Sequence, residues 1–155
     1  MSVTRAQLLA SAHALCDAFA SKADIDALLS NFSSTHQISA FEHGEPLLAP
    51  FLGRSFTGLR GSQSVPAYFS LLQQHLTYSD MSFGEWVVDT DVRKVCVKGC
   101  AQFTWVEGEG KGQSWHEKFI YLLDFDEAAK ITDYQGRIIR QERGMFSSAL
   151  RDQDS

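Results

Sequence analysis

Only three cysteines occur in the 155 residues, Cys16, Cys96 and Cys100, and no two are spaced as Cys-x-x-Cys. An odd count without a chelating pair excludes a disulfide framework and predicts free thiols. Cys96 and Cys100 share a strand parity but lie about 13 Å apart along it, too far to hold one ion. Basic clusters are missing as well. The balance of 14 Lys+Arg against 19 Asp+Glu leaves a net charge of −5, and nothing supplies the electrostatic footprint of a nucleic-acid partner. No apolar run approaches the roughly 18 residues of a membrane-spanning helix. Met1 to Ala20 is broken by Arg5, Gln7, His13 and Asp17, so it lacks a signal-peptide core. A cytoplasmic protein with no membrane partner is the expectation. There is no His-x-x-x-His and no clustered carboxylate set. Gly108 to Gly112 lacks the phosphate-loop spacing, and no nucleophile elbow appears. These gaps predict no metal.

What is present is the composition of a single soluble domain, 44% hydrophobic and 21% charged. It is expected to span 1–143, followed by a polar tail at 144–155 in which Phe146 and Leu150 dock. Thr4 with Gln7 three residues on predicts a capped helix over 5–21, with Leu8, Ala12, Leu15 and Phe19 on its buried face. Asp24 caps a second, short helix. His36 to Glu42 reads as extended. Gly44 to Gly61 is rich in breakers yet carries Leu47, Leu48, Phe51, Leu52 and Phe56, which predicts a loop folded over something apolar. Ser64 and Pro66 open a third helix striped by Val65, Phe69, Leu72 and Leu76. Strands follow at Met81 to Asp89, Lys94 to Glu107, Trp115 to Phe125 and Ile131 to Arg140, giving an α+β domain.

The strand from Trp115 to Phe125 organises the rest. One parity carries Trp115, Glu117, Phe119, Tyr121, Leu123 and Phe125; the other carries His116, Lys118, Ile120, Leu122 and Asp124. A single acid on an aromatic face points to a lined cavity. Wall candidates are Trp115, Phe119, Trp105 and Phe103, joined by Trp86, Tyr68, Phe51 and Phe56 from other segments. The opposite face, with Cys96, Lys98, Cys100, Ile120 and Leu122, is too apolar to stay wet, and a second copy of the chain would cover it isologously.

The element order resembles the NTF2-like superfamily, in particular its SnoaL-like branch. Three patterns carry the likeness: Phe56-Thr57-Gly58-Leu59-Arg60-Gly61 before a helix, the Trp115 to Phe125 strand, and Phe125-Asp126 through Lys130-Ile131-Thr132 as the last hairpin. The text around Phe41-Glu42-His43-Gly44 and Ala49 to Arg54 looks most like small fungal members. The resemblance implies a cone, in which N-terminal helices pack in the concave face of a strongly curved antiparallel sheet. It also implies a pocket at the open end, homodimerisation through the sheet, and cofactor-free isomerase, cyclase or lyase chemistry in the members that are enzymes. Others of that fold, the nuclear transport factor among them, are not catalytic. One departure stands out: Asp133 to Arg140 carries no Trp, where many relatives have a Trp and an Asp on the last strand.

Two carboxylates lead the candidates. Glu117, set between Trp115 and Phe119, would have its pKa raised by desolvation and suit a general base or acid; on the other parity it would be a solvated partner for a lysine. Glu42 lies where the resemblance places a catalytic base. Because neighbours on a strand face opposite ways, only one of Glu42 and His43 can look inward, while His36 shares the parity of Glu42 and forms an alternative pair with it. His43 equally fits a role in holding the loop. Tyr121 and Tyr68 are hydroxyl donors to a developing enolate or, with the stronger claim, core tyrosines. The chain therefore reads as an acid–base enzyme acting on a small hydrophobic metabolite, or as a non-catalytic ligand-binding or dimerisation module. A nuclear-transport role has no sequence feature behind it.

Overall fold

In the computed structural model, residues 2–142 are described; the polar tail expected at 144–155 lies outside them. Helix α1 (Arg5–Ala20) starts with a full capping box: the Gln7 amide N–H donates to Thr4 Oγ1, and the Thr4 N–H donates to Gln7 Oε1. Leu8, Ala12, Leu15, Cys16 and Phe19 form its buried face. Asp24 caps α2 (Ile25–Leu29), as its spacing predicts. Two short strands follow, β1 (Ser39–Glu42) and β2 (Ser55–Thr57), and then α3 (Val65–His75), with Ser64 as N-cap and Pro66 in the first turn.

The remaining chain is a meander of long strands: β3 (Leu76–Asp89), β4 (Lys94–Trp105), β5 (Ser114–Phe125) and β6 (Ile131–Glu142). The sheet order is β2-β1-β6-β5-β4-β3, with β1 parallel to β6 and every other pair antiparallel. Two features depart from the expected boundaries. Leu76 is extended, the first residue of β3 and not the last of the α3 stripe. The strand starts there because Leu76 to Ser79 pair with Trp105 to Gln102, satisfying the far end of β4. Within the loop expected between Gly44 and Gly61, Phe56 sits on β2 and pairs with Ala40.

Bulges bend the sheet. β3 slips register between Ser79 and Ser82 and again between Gly84 and Val87, next to the left-handed residues Asp80 (φ 54°) and Glu85 (φ 58°). The curved inner face takes the helices. On β5, Trp115, Glu117, Phe119, Tyr121, Leu123 and Phe125 are buried, while His116, Lys118, Ile120, Leu122 and Asp124 are half-buried. The alternation that the sequence predicts is therefore the alternation of the folded strand. This is the α+β cone, with helices on the concave side.

Candidate functional site

A cavity of about 490 Å³ opens on the concave side, between the ends of α1 and α3 and the inner face of the sheet. The period-two pattern of β4 and β5 turns Phe103, Trp105, Trp115 and Phe119 into its walls. Phe103 stacks on Trp115 with ring centroids 5.9 Å apart, and Trp105 and Trp115 are 5.5 Å apart. Phe51 and Leu52 close another side, so the apolar loop of 44–61 does fold over something: the cavity itself. Glu42, Glu117, Tyr121 and Tyr134 reach the cavity from β1, β5 and β6, and Lys22, Asp24, Gln73, Thr77, Tyr78 and Arg137 add further polar groups to its lining.

The two carboxyls differ in surroundings. Glu117 is buried, and its Oε1 accepts a 3.0 Å hydrogen bond from the indole N–H of Trp115, two residues away on the same face of β5. Burial pushes its carboxyl up to about 7, against the opposing pull of that indole. Glu42, the last residue of β1, accepts from the Tyr68 hydroxyl at 3.3 Å. Burial raises its carboxyl to about 8; the negative charge of Glu117 adds to the rise, and the Tyr68 hydrogen bond opposes it. The cavity leaves Glu42 reachable while the crowd of side chains removes bulk water. Near neutral pH Glu42 is thus the more strongly held as a neutral acid, and Glu117 the more readily ionised of the two.

Behind Glu42 lies a cluster of tyrosines. The Tyr68 and Tyr134 hydroxyls are 3.4 Å apart, and the rings of Tyr121 and Tyr134 are 4.9 Å apart. Burial holds all three phenols well above their ordinary range, so they stay protonated as donors.

Several sequence candidates fall elsewhere. His36 lies before β1, where the strand alternation does not reach; it faces solvent and pairs with Glu127 at 2.9 Å, which removes the His36/Glu42 pair. His43 is not among the residues lining the cavity, and its Nε2 lies 2.9 Å from Gln135 Oε1 on β6. Trp86 is no wall: it stacks on His13 of α1, centroids 3.8 Å apart. Phe56 packs in the core against Tyr68, and Tyr68 is itself fully buried behind Glu42 instead of lining the cavity.

Tyr134 and Gly136 line the cavity and are missed by sequence reasoning. The register of β5 against β6 shifts between Asp124 and Phe125, so that Ile131 and Tyr134, three residues apart, are both buried. Counting twos from Ile131 therefore sends Tyr134 to the wrong face.

Solved structures match this arrangement over nearly the whole chain. One is an NTF2-like protein of unknown function from Burkholderia pseudomallei, with a TM-score of 0.68 and 14% identity over 94% of this chain and 95% of that one. The fold is NTF2-like. TerC, co-crystallised with polyporic acid, matches with a TM-score of 0.66 and 12% identity over 94% of this chain and 96% of its own. A pinacolase from Penicillium brevicompactum matches with a TM-score of 0.59 and 16% identity over 99% and 94%. No family model matches, and no curated protein matches in sequence. At such identities the likeness is one of fold, and the chemistry of this NTF2-like cone has to be argued from its own side chains.

Proposed function

We propose that this NTF2-like cone is a cofactor-independent acid–base enzyme, an isomerase, cyclase or lyase acting on a hydrophobic carbonyl-bearing metabolite, and that it works as a homodimer. The observation that carries the reading is the pair of carboxyls, Glu42 and Glu117, on one aromatic cavity, poised at about 8 and about 7. Their different protonation divides the roles. Ionised Glu117 takes a proton from a carbon beside the carbonyl, while neutral Glu42 hydrogen-bonds the carbonyl oxygen and stabilises the enolate. Tyr68, donating to Glu42, fixes the orientation of that acid. Glu42 lies in a sheet row with Tyr121 through Gly136, and Glu117 stands four residues along β5 from Tyr121. Both side chains turn into one cavity and the charge of Glu117 is felt at Glu42, which suits an acid and a base addressing a carbonyl and the carbon beside it. Two proteins of the same fold point the same way, one a pinacolase and the other crystallised with polyporic acid.

The test is deuterium incorporation from heavy water into a panel of apolar polycyclic ketones with exchangeable protons beside the carbonyl. The wild type should accelerate exchange in at least one of them, and Glu117→Gln should slow it roughly 100- to 10,000-fold. Ketones bound without any exchange would assign the cavity to ligand binding instead.

A further inference from the structure

Glycine at position 136 has no structural excuse. Gly53, Gly58, Gly61, Gly108 and Gly112 have positive φ, the region that favours glycine. At Gly99 an added Cβ would fall 2.5 Å from the Phe119 ring. Gly136 has neither constraint: its φ is not in the left-handed region, and a Cβ there would meet its nearest neighbours, Glu42 Oε1 and the Tyr134 hydroxyl, at 3.4 Å, the near edge of ordinary contact. Alanine would fit, and a glycine inside a strand weakens it. The position lines the cavity, paired with Glu42 of β1 on one side and Tyr121 of β5 on the other.

We infer that Gly136 is a specificity-determining residue, which keeps open a notch between Glu42, Tyr134 and Tyr121 for a single oxygen of an otherwise apolar ligand. The missing side chain leaves a gap in the inward row, bordered by Glu42 Oε1 and the Tyr134 hydroxyl and set in an aromatic wall. Such a gap accepts a carbonyl or hydroxyl oxygen flat against the sheet, and it excludes it once a methyl group stands there. The inference rests on the cavity as the ligand site; it does not require turnover.

The experiment compares naphthol with naphthalene, the same apolar body with and without the oxygen. Wild-type protein should bind naphthol the more tightly. Gly136→Ala should cut that preference by about tenfold or more, a loss of about 1.4 kcal/mol, leaving naphthalene affinity and melting temperature equal or higher. Gly136→Val should abolish the preference. A parallel loss for both probes, an unchanged preference, or a lower melting temperature in Gly136→Ala would each overturn the inference. The readout is binding, so it stands or falls apart from the isotope-exchange test: failed exchange with an intact naphthol preference would remove the catalytic reading and keep the notch.

Discussion

At the scale of single residues, burying two acids on one cavity has a thermodynamic consequence that does not depend on knowing the substrate. Glu42 is held up at about 8 in the folded state against an ordinary 4.5, chiefly by burial. Between those values the native state binds more protons than the unfolded chain, so stability falls as pH rises. The contribution is whole below about 4.5 and is lost through about 8; Glu117, at about 7, adds a loss of the same sign that is complete at lower pH. Denaturant unfolding at pH 5 and pH 8 should show the wild type losing several kcal/mol across the interval, on the order of 3 kcal/mol of it through Glu42. Glu42→Gln should remove most of that loss, and Glu117→Gln should also ease it, since it removes the like charge that raises Glu42. Equal slopes in wild type and Glu42→Gln would mean that Glu42 is not held protonated.

At the scale of elements, what was legible in the sequence was whatever is decided locally. The capping box at Thr4, the Asp24 and Ser64 caps and the parity of β5 all rest on contacts within a few residues, and the structure keeps each of them. What was hidden depends on pairing between distant segments. The parallel alliance of β1 with β6, the early start of β3 and the register shift that turns Tyr134 inward leave no local pattern. The wall was harder to read for the same reason: Trp105 and Trp86 look alike in sequence, but Trp105 ends β4 against the cavity, while Trp86 lies further along β3 than the residues that line it and meets His13. Close packing of β4 on β5 yields a prediction here. Gly99 pairs with Phe119 in register, and an added Cβ would stand 2.5 and 2.7 Å from two atoms of its ring and 2.9 Å from Phe83. Gly99→Ala should therefore cost about 1–3 kcal/mol by overpacking, read as a lower denaturant midpoint with an unchanged slope. This is the reverse of the result expected at Gly136, although both are glycines inside long strands.

At the scale of the whole molecule, element order anticipated an α+β domain with helices over one side of a curved sheet, and the resemblance to the NTF2-like superfamily supplied the cone. Less legible was how the outer face of the sheet is finished. Val87, Cys96 and Leu122 lie in one row across β3, β4 and β5, and Ile120 sits beside Lys98 in the next. Val87 is 65% exposed. Ion pairs flank these rows, Lys94 with Asp124 and Lys98 with Glu85. An apolar centre with a charged rim is the usual anatomy of a protein interface, and a two-fold axis over the face would bury the patch of each copy against the other. Native mass spectrometry should therefore find a dimer. Leu122→Asp, which places its charge twice in such an interface, should give a monomer with unchanged circular dichroism. Dilution supplies a check that needs no variant, because a dimer's melting temperature falls as protein concentration falls. A wild-type chain that stays monomeric at every concentration, with a melting temperature that does not move, would leave this face to solvent and sink the dimer.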